Sequence, residues 1–219
     1  MDAVLLRPCF MLLLAIAVPG TAVHPEGNER YGFKQARIIV EKKTKNSAME
    51  STTIDTVYID EWGWVEVRYS YQVEEIKTIE QRRESRTVSI MEKEWLISYD
   101  PDEKKGRKMK NPFYHPTGSL SEQQGKEMGE GTAKAFEATT TAKGTEAVSG
   151  KMCEVTETRT GLQGMETVTI TWMWKGLLMK SVSTVRGTEI TELVTTVDEG
   201  IGVSPDLRKV PDDVEISAE

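Results

Sequence analysis

The sequence predicts a mainly β protein, an antiparallel sheet carrying one short helical insertion. Three observations lead there. In Thr167 to Arg186, TVTITWMWKGLLMKSVSTVR, the residues Val168, Ile170, Trp172 and Trp174 point one way and Thr167, Thr169, Thr171 and Met173 the other. That two-residue period, rich in β-branched and aromatic residues, is the mark of a strand. Trp64 to Glu74 alternates as cleanly, with Val65, Val67, Tyr69, Tyr71 and Val73 on one face and Glu66, Arg68, Ser70 and Gln72 on the other. The second face reads as the wet side of an antiparallel strand. Phe113 to Gly144 has no such period and carries Gly118, Gly125, Gly129 and Gly131.

Taken in order, Phe33 to Lys43 holds a short strand, Arg37-Ile-Ile-Val-Glu41, and Thr44 to Thr52 reads as a polar loop. Thr53 to Asp60 alternates again, and Glu61-Trp62-Gly63 reads as a tight turn before the Trp64 strand. Ile76 to Ser85 is highly charged and reads as a strand end and turn. Arg86 to Met91 and Trp95 to Asp100 form a hairpin. Asp100 to Gly106 has Pro and Gly where turns need them, and Arg107 to Lys110 starts another strand. Within the insertion, Ser119-Leu-Ser-Glu122 has capping-box spacing, in which Ser caps the helix and Glu reaches back to the Ser amide. Helices are expected over 119–129 and 132–140, weakened by about 1 kcal/mol for each glycine. Glu146 to Arg159 returns to strand, Gly161 and Gly164 mark a turn, and Lys175-Gly176 divides the next hairpin. Glu189 to Val197 is a further strand. Gly200 to Glu219 is a tail in which Val203 to Val210 reads as a short docked segment. The sum is about ten antiparallel strands in one domain, residues 23–219.

Residues 1–22 read as a signal peptide. Arg7 supplies the charge, Cys9 to Val18 the apolar run, and Gly20-Thr21-Ala22 the small residues of a cleavage site after Ala22. An uncleaved anchor is the alternative. The apolar run is short for a bilayer span, and no other stretch is long enough, so the processed chain is expected not to be transmembrane. The formal net charge is −7 and the basic residues are scattered, which argues against a nucleic-acid partner. Cleavage removes Cys9 and leaves Cys153 alone, so no internal disulfide can form. A lone thiol in an alternating strand is expected to be buried and inert.

Tyr58 to Gly63 (YIDEWG), Trp95 to Pro112 (WLISYDPDEKKGRKMKNP), the glycine-rich insertion, Gly144 to Val155 (GTEAVSGKMCEV) and Trp172 to Ser181 (WMWKGLLMKS) follow one another in an order that resembles a group of exported bacterial proteins. These are related to the outer-membrane lipoprotein-sorting, LolA/LolB-like superfamily. The resemblance covers most of the mature chain, on turns and strand ends rather than catalytic signatures. It implies a curved antiparallel sheet, an unclosed barrel, whose concave face is covered by helices, here the insertion 113–144. It also implies a cavity for lipoprotein acyl chains. The best-known carriers close their helices with a sheet arginine, and motif alone assigns that role to none of Arg37, Arg68, Arg86, Arg107 and Arg186.

Catalytic chemistry is poorly provided for. The only histidines are His24, in the polar lead-in, and His115, in a loop beside Tyr114 and Pro116; neither has a nucleophile partner in a recognisable local pattern. Asp100, Asp102 and Glu103 would need Gly and Glu at positions six and twelve of a calcium loop, where Lys105 and Asn111 stand. No catalytic residue, metal or cofactor is therefore expected. Trp62, Trp64, Trp95, Trp172 and Trp174 can each bury roughly 200 Å². Their plain reading is core. The sharper reading puts Trp172, Trp174, Leu178, Trp95 and Val168 on the wall of a hydrophobic cavity, with Phe113 and Phe136 on a glycine-weakened lid. The leading expectation is a periplasmic, non-enzymatic binder of a lipid or lipoprotein acyl chain. The alternative is an envelope sensing or protein-interaction module with a filled core and an envelope protein partner.

Overall fold

The computed structural model describes residues 29–111, 138–162 and 165–218. They form twelve strands: β1 (Ala36–Lys45), β2 (Met49–Asp60), β3 (Val65–Ile76), β4 (Gln81–Glu92), β5 (Trp95–Asp100), β6 (Lys105–Lys110), β7 (Thr139–Val148), β8 (Lys151–Leu162), β9 (Met165–Trp174), β10 (Leu177–Val185), β11 (Thr188–Glu199) and β12 (Glu215–Ala218). All lie in one sheet, in the order β12-β6-β5-β4-β3-β2-β1-β11-β10-β9-β8-β7. Every pairing is antiparallel except that of β12 with β6. Among the described residues no α-helix forms, and the only helical turns are short 3-10 turns at Glu61–Gly63 and Pro205–Arg208.

The hairpin turns follow from their residues. Ser149-Gly150, Lys175-Gly176 and Arg186-Gly187 each place two successive residues at positive φ, the geometry whose twist suits a two-residue hairpin. Glu146 to Arg159 is therefore two strands, not one, because Ser149-Gly150 turns the chain. The charged stretch after Ile76 is also a hairpin, with β4 starting at Gln81. Expected helices over 119–129 and most of 132–140 lie outside the described residues. The last of them is corrected where it can be seen: Thr139-Thr140-Thr141 opens β7, since three β-branched residues favour the pleated backbone. A helical cover over 113–144 is thus not supported, as residues 139–144 belong to the sheet.

The sheet is bent. The amide of Tyr31 donates to Trp62 O at 3.1 Å, and that of Gly32 donates to Lys175 O at 2.8 Å. Adjacent amides are under about 4 Å apart, so these two turns approach within about 10 Å. A flat sheet would hold them about 19 Å apart, four strand spacings. Lys151 of β8 likewise meets Glu199 of β11 at 2.6 Å, although β9 and β10 lie between them. The corner has a visible cause. β10 pairs with β11 only from Lys180 onward, its register on β9 slips between Leu178 and Lys180, and the β1–β11 register slips between Ile39 and Val40. Bulges of this kind let strands turn a corner.

Two apolar clusters result, on opposite faces of the central strands. On the inner face, Ala36, Ile38, Val40, Val57 and Ile59 pack with Phe33, Cys153, Val155, Trp172, Leu177, Met179 and Val194. On the outer face, Val65, Val67, Val88, Ile90 and Tyr99 are covered by Val203 of the C-terminal segment, with Leu207, Val210 and Val214 beside it. The docked segment expected around Val203 to Val210 is this cover.

Candidate functional site

The inner face changes character along its strands. Next to the apolar cluster, the register places Val40, Asp55 and Ser70 side by side on β1, β2 and β3, and Val57 beside Arg68. Asp55 is 1% exposed, so a carboxylate is held in the interior and must be paired. Its Oδ2 meets Lys42 Nζ at 3.0 Å and Arg68 Nη1 at 2.8 Å. The other arm of the Arg68 fork reaches Glu66 Oε1 at 3.1 Å, and Arg30 Nη1 lies 3.5 Å from Glu66 Oε2. Burial alone would raise the Asp55 pKa, but the charges of Lys42 and Arg68 hold it below the ordinary carboxylate value. Arg68 is held above its usual range: burial opposes its charge, and the charges of Glu66 and Asp55 outweigh that. Tyr31 lies beside the same group, and burial, with the Glu66 charge adding to it, pushes its phenol up to about 12. Asp55 Oδ1 and Glu66 Oε2 are sealed from solvent, with Arg30 beside the Glu66 carboxylate and the Ser70 hydroxyl donating to the Asp55 carboxyl.

Beyond the ion cluster the same face carries hydroxyls and amides. The register runs Lys42–Glu192–Ser181–Thr171–Thr156 and Thr44–Ile190–Ser183–Thr169–Thr158–Thr140. Thr171 and Trp172 are on opposite sides of β9: the register carries the Lys42 face on to Thr171, while the corner brings the Trp172 side of the strand ends onto the apolar cluster. Cross-strand side-chain bonds tie the hydroxyl rows: Thr156 to Thr171 at 2.8 Å, Thr169 to Ser183 at 3.0 Å and Thr140 to Thr158 at 3.2 Å. On β2 and β3, Gln72 Nε2 donates to Ser51 Oγ at 3.1 Å. Such pairs are the unit of sheet stabilisation, and here they also make a polar surface.

No family model and no curated protein matches the chain. Solved structures do. Lipoprotein-sorting domain proteins are among those it resembles. A putative outer membrane lipoprotein-sorting protein domain from Vibrio parahaemolyticus is similar over 82% of this chain and 94% of that one, at 12% identity and TM-score 0.33. An uncharacterized conserved protein from Thermus thermophilus is similar over 85% of this chain and 91% of that one, at 7% identity and TM-score 0.49. MucB, in the Pseudomonas aeruginosa MucA/MucB complex, is similar over 84% of this chain but 59% of its own length, at 10% identity and TM-score 0.45. At such identities these likenesses concern architecture alone.

The residues expected around a cavity do not all converge. Val168, Trp172 and Trp174 share one face of β9, but Leu178 pairs with Met173 on the opposite face. Trp95 stands on β5, with six strands between it and β9, and on the outer face, 37% exposed with Lys108 Nζ 4.4 Å above its ring. Phe113 and Phe136 lie outside the described residues. Trp174 stacks on Phe33 at 5.6 Å, and Phe33 on Tyr31 at 5.2 Å. Lys151 and Lys175 sit 4.5 and 4.7 Å from the Trp174 ring, and both pair with Glu199. Trp172 is 7% exposed, its indole N–H donating to Glu146 Oε2 at 2.8 Å and Lys180 lying 4.2 Å over its ring. Both tryptophans are therefore packed by the protein's own side chains. Cys153 is buried and free, and burial raises its thiol pKa, in keeping with an inert group. The ion cluster was missed at the level of sequence. Its signal was the polar half of the Trp64 to Glu74 alternation, taken there for a wet face.

Proposed function

We propose that the protein is an exported, non-enzymatic binding protein of the cell envelope that works as an interaction module rather than as an acyl-chain carrier. The observation that carries this reading is the Lys42–Asp55–Arg68–Glu66 cluster on the inner face. A hydrocarbon chain laid there would strip water from charged groups and give them no hydrogen bond in return, which is costly. The apolar part of that face is already filled by Tyr31, Phe33 and the ends of β8 to β10. Export rests on the signal peptide read from the sequence, and mature protein beginning at Val23 would support it.

One observation favours the acyl-chain reading. Met91, Leu96 and Met109 form a half-buried apolar row on the inner face of β4, β5 and β6. Titrating the mature protein with a fatty acid and a lipopeptide separates the two. Unchanged tryptophan emission is expected; a saturable change that Leu96→Asp abolishes would restore the carrier.

A further inference from the structure

We infer that the end of the sheet carrying the tryptophans is a membrane-contact rim that sits in the headgroup zone of a bilayer. This goes beyond the interaction-module reading and does not depend on it. All five tryptophans stand at one end of the strands. Trp62 and Trp64 lie in and just after the turn from β2 to β3, Trp95 opens β5, and Trp172 and Trp174 close β9. The register puts Ala36 beside both Ile59 and Glu199, Leu177 beside Trp174, and Glu92 beside Trp95, so these positions share one end of the sheet. The opposite end, at turns 46–48, 77–80, 101–104 and 186–187, has no tryptophan and carries Lys77, Glu80, Asp102, Glu103, Lys104 and Arg186. Exposed apolar side chains follow the same division. Among the described residues Trp62, Trp95, Met152 and Ile201 are exposed at the tryptophan end, against Ile79 at the other.

The chemistry of the rim selects its occupant. Like Trp172 and Trp174, the other three indoles each have a cation over the ring: Lys34 at 5.5 Å from Trp62, Arg30 at 5.9 Å from Trp64 and Lys108 at 4.4 Å from Trp95. An apolar ring beside a long-stemmed ammonium suits a bilayer interface, where the ring takes the boundary and the charge reaches phosphate. Lys34, Lys108 and Lys110 form no ion pair among the described residues, while Lys93 binds Glu61 at 2.8 Å. Glu92, Glu94 and Glu199 share this end. Cations and carboxylates are thus mixed there, which complements the phosphate and ammonium of a zwitterionic headgroup.

Trp62 is held outward on strained backbone. Its φ of +56° and that of Glu61, +48°, are left-handed, a region such residues avoid. Neighbours fix the turn: Trp62 N donates to Lys34 O at 3.1 Å, the Arg30 amide donates to Trp62 O at 2.9 Å, and Arg30 Nη1 donates to Gly63 O at 2.6 Å. Strain that the surroundings over-determine gathers at binding sites. The exposed residues stand on separate turns, with seven strands between Trp95 on β5 and Met152 on β8. A protein partner buries a contiguous patch, whereas a fluid headgroup layer accepts separate anchors. The described chain also begins at this end, with Glu29 next to Arg30 and the Trp62 turn. The rim is therefore the part of the fold nearest along the chain to the apolar run Cys9 to Val18.

The test floats the mature protein with vesicles of equal parts phosphatidylethanolamine and phosphatidylcholine, some with brominated acyl chains. A bilayer is the probe because dissolved fatty acid offers no interface. The protein should float, and bromine placed near the headgroups should quench its tryptophan emission. Trp62→Ala and Trp95→Ala should each weaken binding several-fold, and the double variant at least about tenfold. Ile79→Ala, at the opposite end where Ile79 is 62% exposed, should bind like the unchanged protein. Raising salt from about 50 to about 500 mM should change binding less than about threefold, since mixed charges leave little to screen. If Trp62→Ala fails to fold by its thermal melt, Met152→Asp and Ile201→Asp take its place. Absence of flotation, equal flotation of the double variant, or loss on Ile79→Ala would overturn the rim. So would flotation that requires phosphatidylglycerol and vanishes in salt. A dimer that the double variant dissolves would give this end to a second copy and overturn it as well.

Discussion

Arg68 and Asp55 face each other across β3 and β2, Nη1 to Oδ2 at 2.8 Å, on the side of the sheet that also carries Ile59 and Val57. A buried ion pair is weak grounds for stability as such, but breaking one leaves a charge stranded. Asp55→Ala strands Lys42 and leaves Arg68 paired with Glu66 alone. Because both keep about a third of their side chains in solvent, the cost falls at the low end of the range, about 3 kcal/mol. Urea denaturation of the mature protein measures it. Asp55→Asn, which keeps the shape, should cost less.

The same residue sets an acid limit. The Asp55 pKa is lowered in the folded protein relative to the ordinary 3.8. Its contribution is therefore fully present above that value and is lost as pH falls through the lower, folded one. Melting temperature should drop below about pH 4, and Asp55→Asn should flatten that part of the profile. Thermal melts from pH 6 down to pH 2 provide the check.

Two glycines of similar backbone geometry should respond differently. Gly176 and Gly187 have φ of +78° and +76°. A methyl on Gly176 would meet the Arg30 carbonyl oxygen at 2.7 Å, while one on Gly187 would meet nothing within 4 Å. Gly187→Ala is expected to cost about 1 kcal/mol from backbone strain alone. Gly176→Ala should cost clearly more and loosen the 30–32 segment, readable as faster amide exchange at Gly32.

Phe33 ties that segment to β9 by stacking between Tyr31 and Trp174. Phe33→Ala should destabilise by about 3 to 5 kcal/mol and shift tryptophan emission to the red as Trp174 gains water. An unshifted spectrum would mean the stack does not shield that ring.

The C-terminal segment should behave as the cover of the outer cluster. Ending the chain after Gly202 removes Val203, Leu207, Val210, Val214 and Ile216 from Val65, Val67, Ile90 and Tyr99. The shortened protein should bind a hydrophobic dye and associate with itself, since an exposed apolar strip of this kind is adhesive.

Much of this was legible before any coordinates. The alternation in Trp64 to Glu74 and Thr167 to Trp174 named the residues that share a face, and the register keeps those sets together. What alternation cannot say is which side is wet. Glu66 and Arg68 read as solvent-facing because they are charged. They are inside because β8 to β10 turn a corner over their face, and that corner depends on bulges without a sequence mark. The division of Glu146 to Arg159 was readable, since Ser149-Gly150 is a strong two-residue turn. Trp95 was grouped with Trp172 and Trp174 on composition, yet strand order sets it at the far side of the sheet.

Native mass spectrometry of mature protein purified from periplasm tests the central claim most directly. A single mass equal to the processed chain, unchanged after incubation with lipopeptide, is the expected result. A stoichiometric adduct carrying an acyl chain, lost in Leu96→Asp, would contradict it.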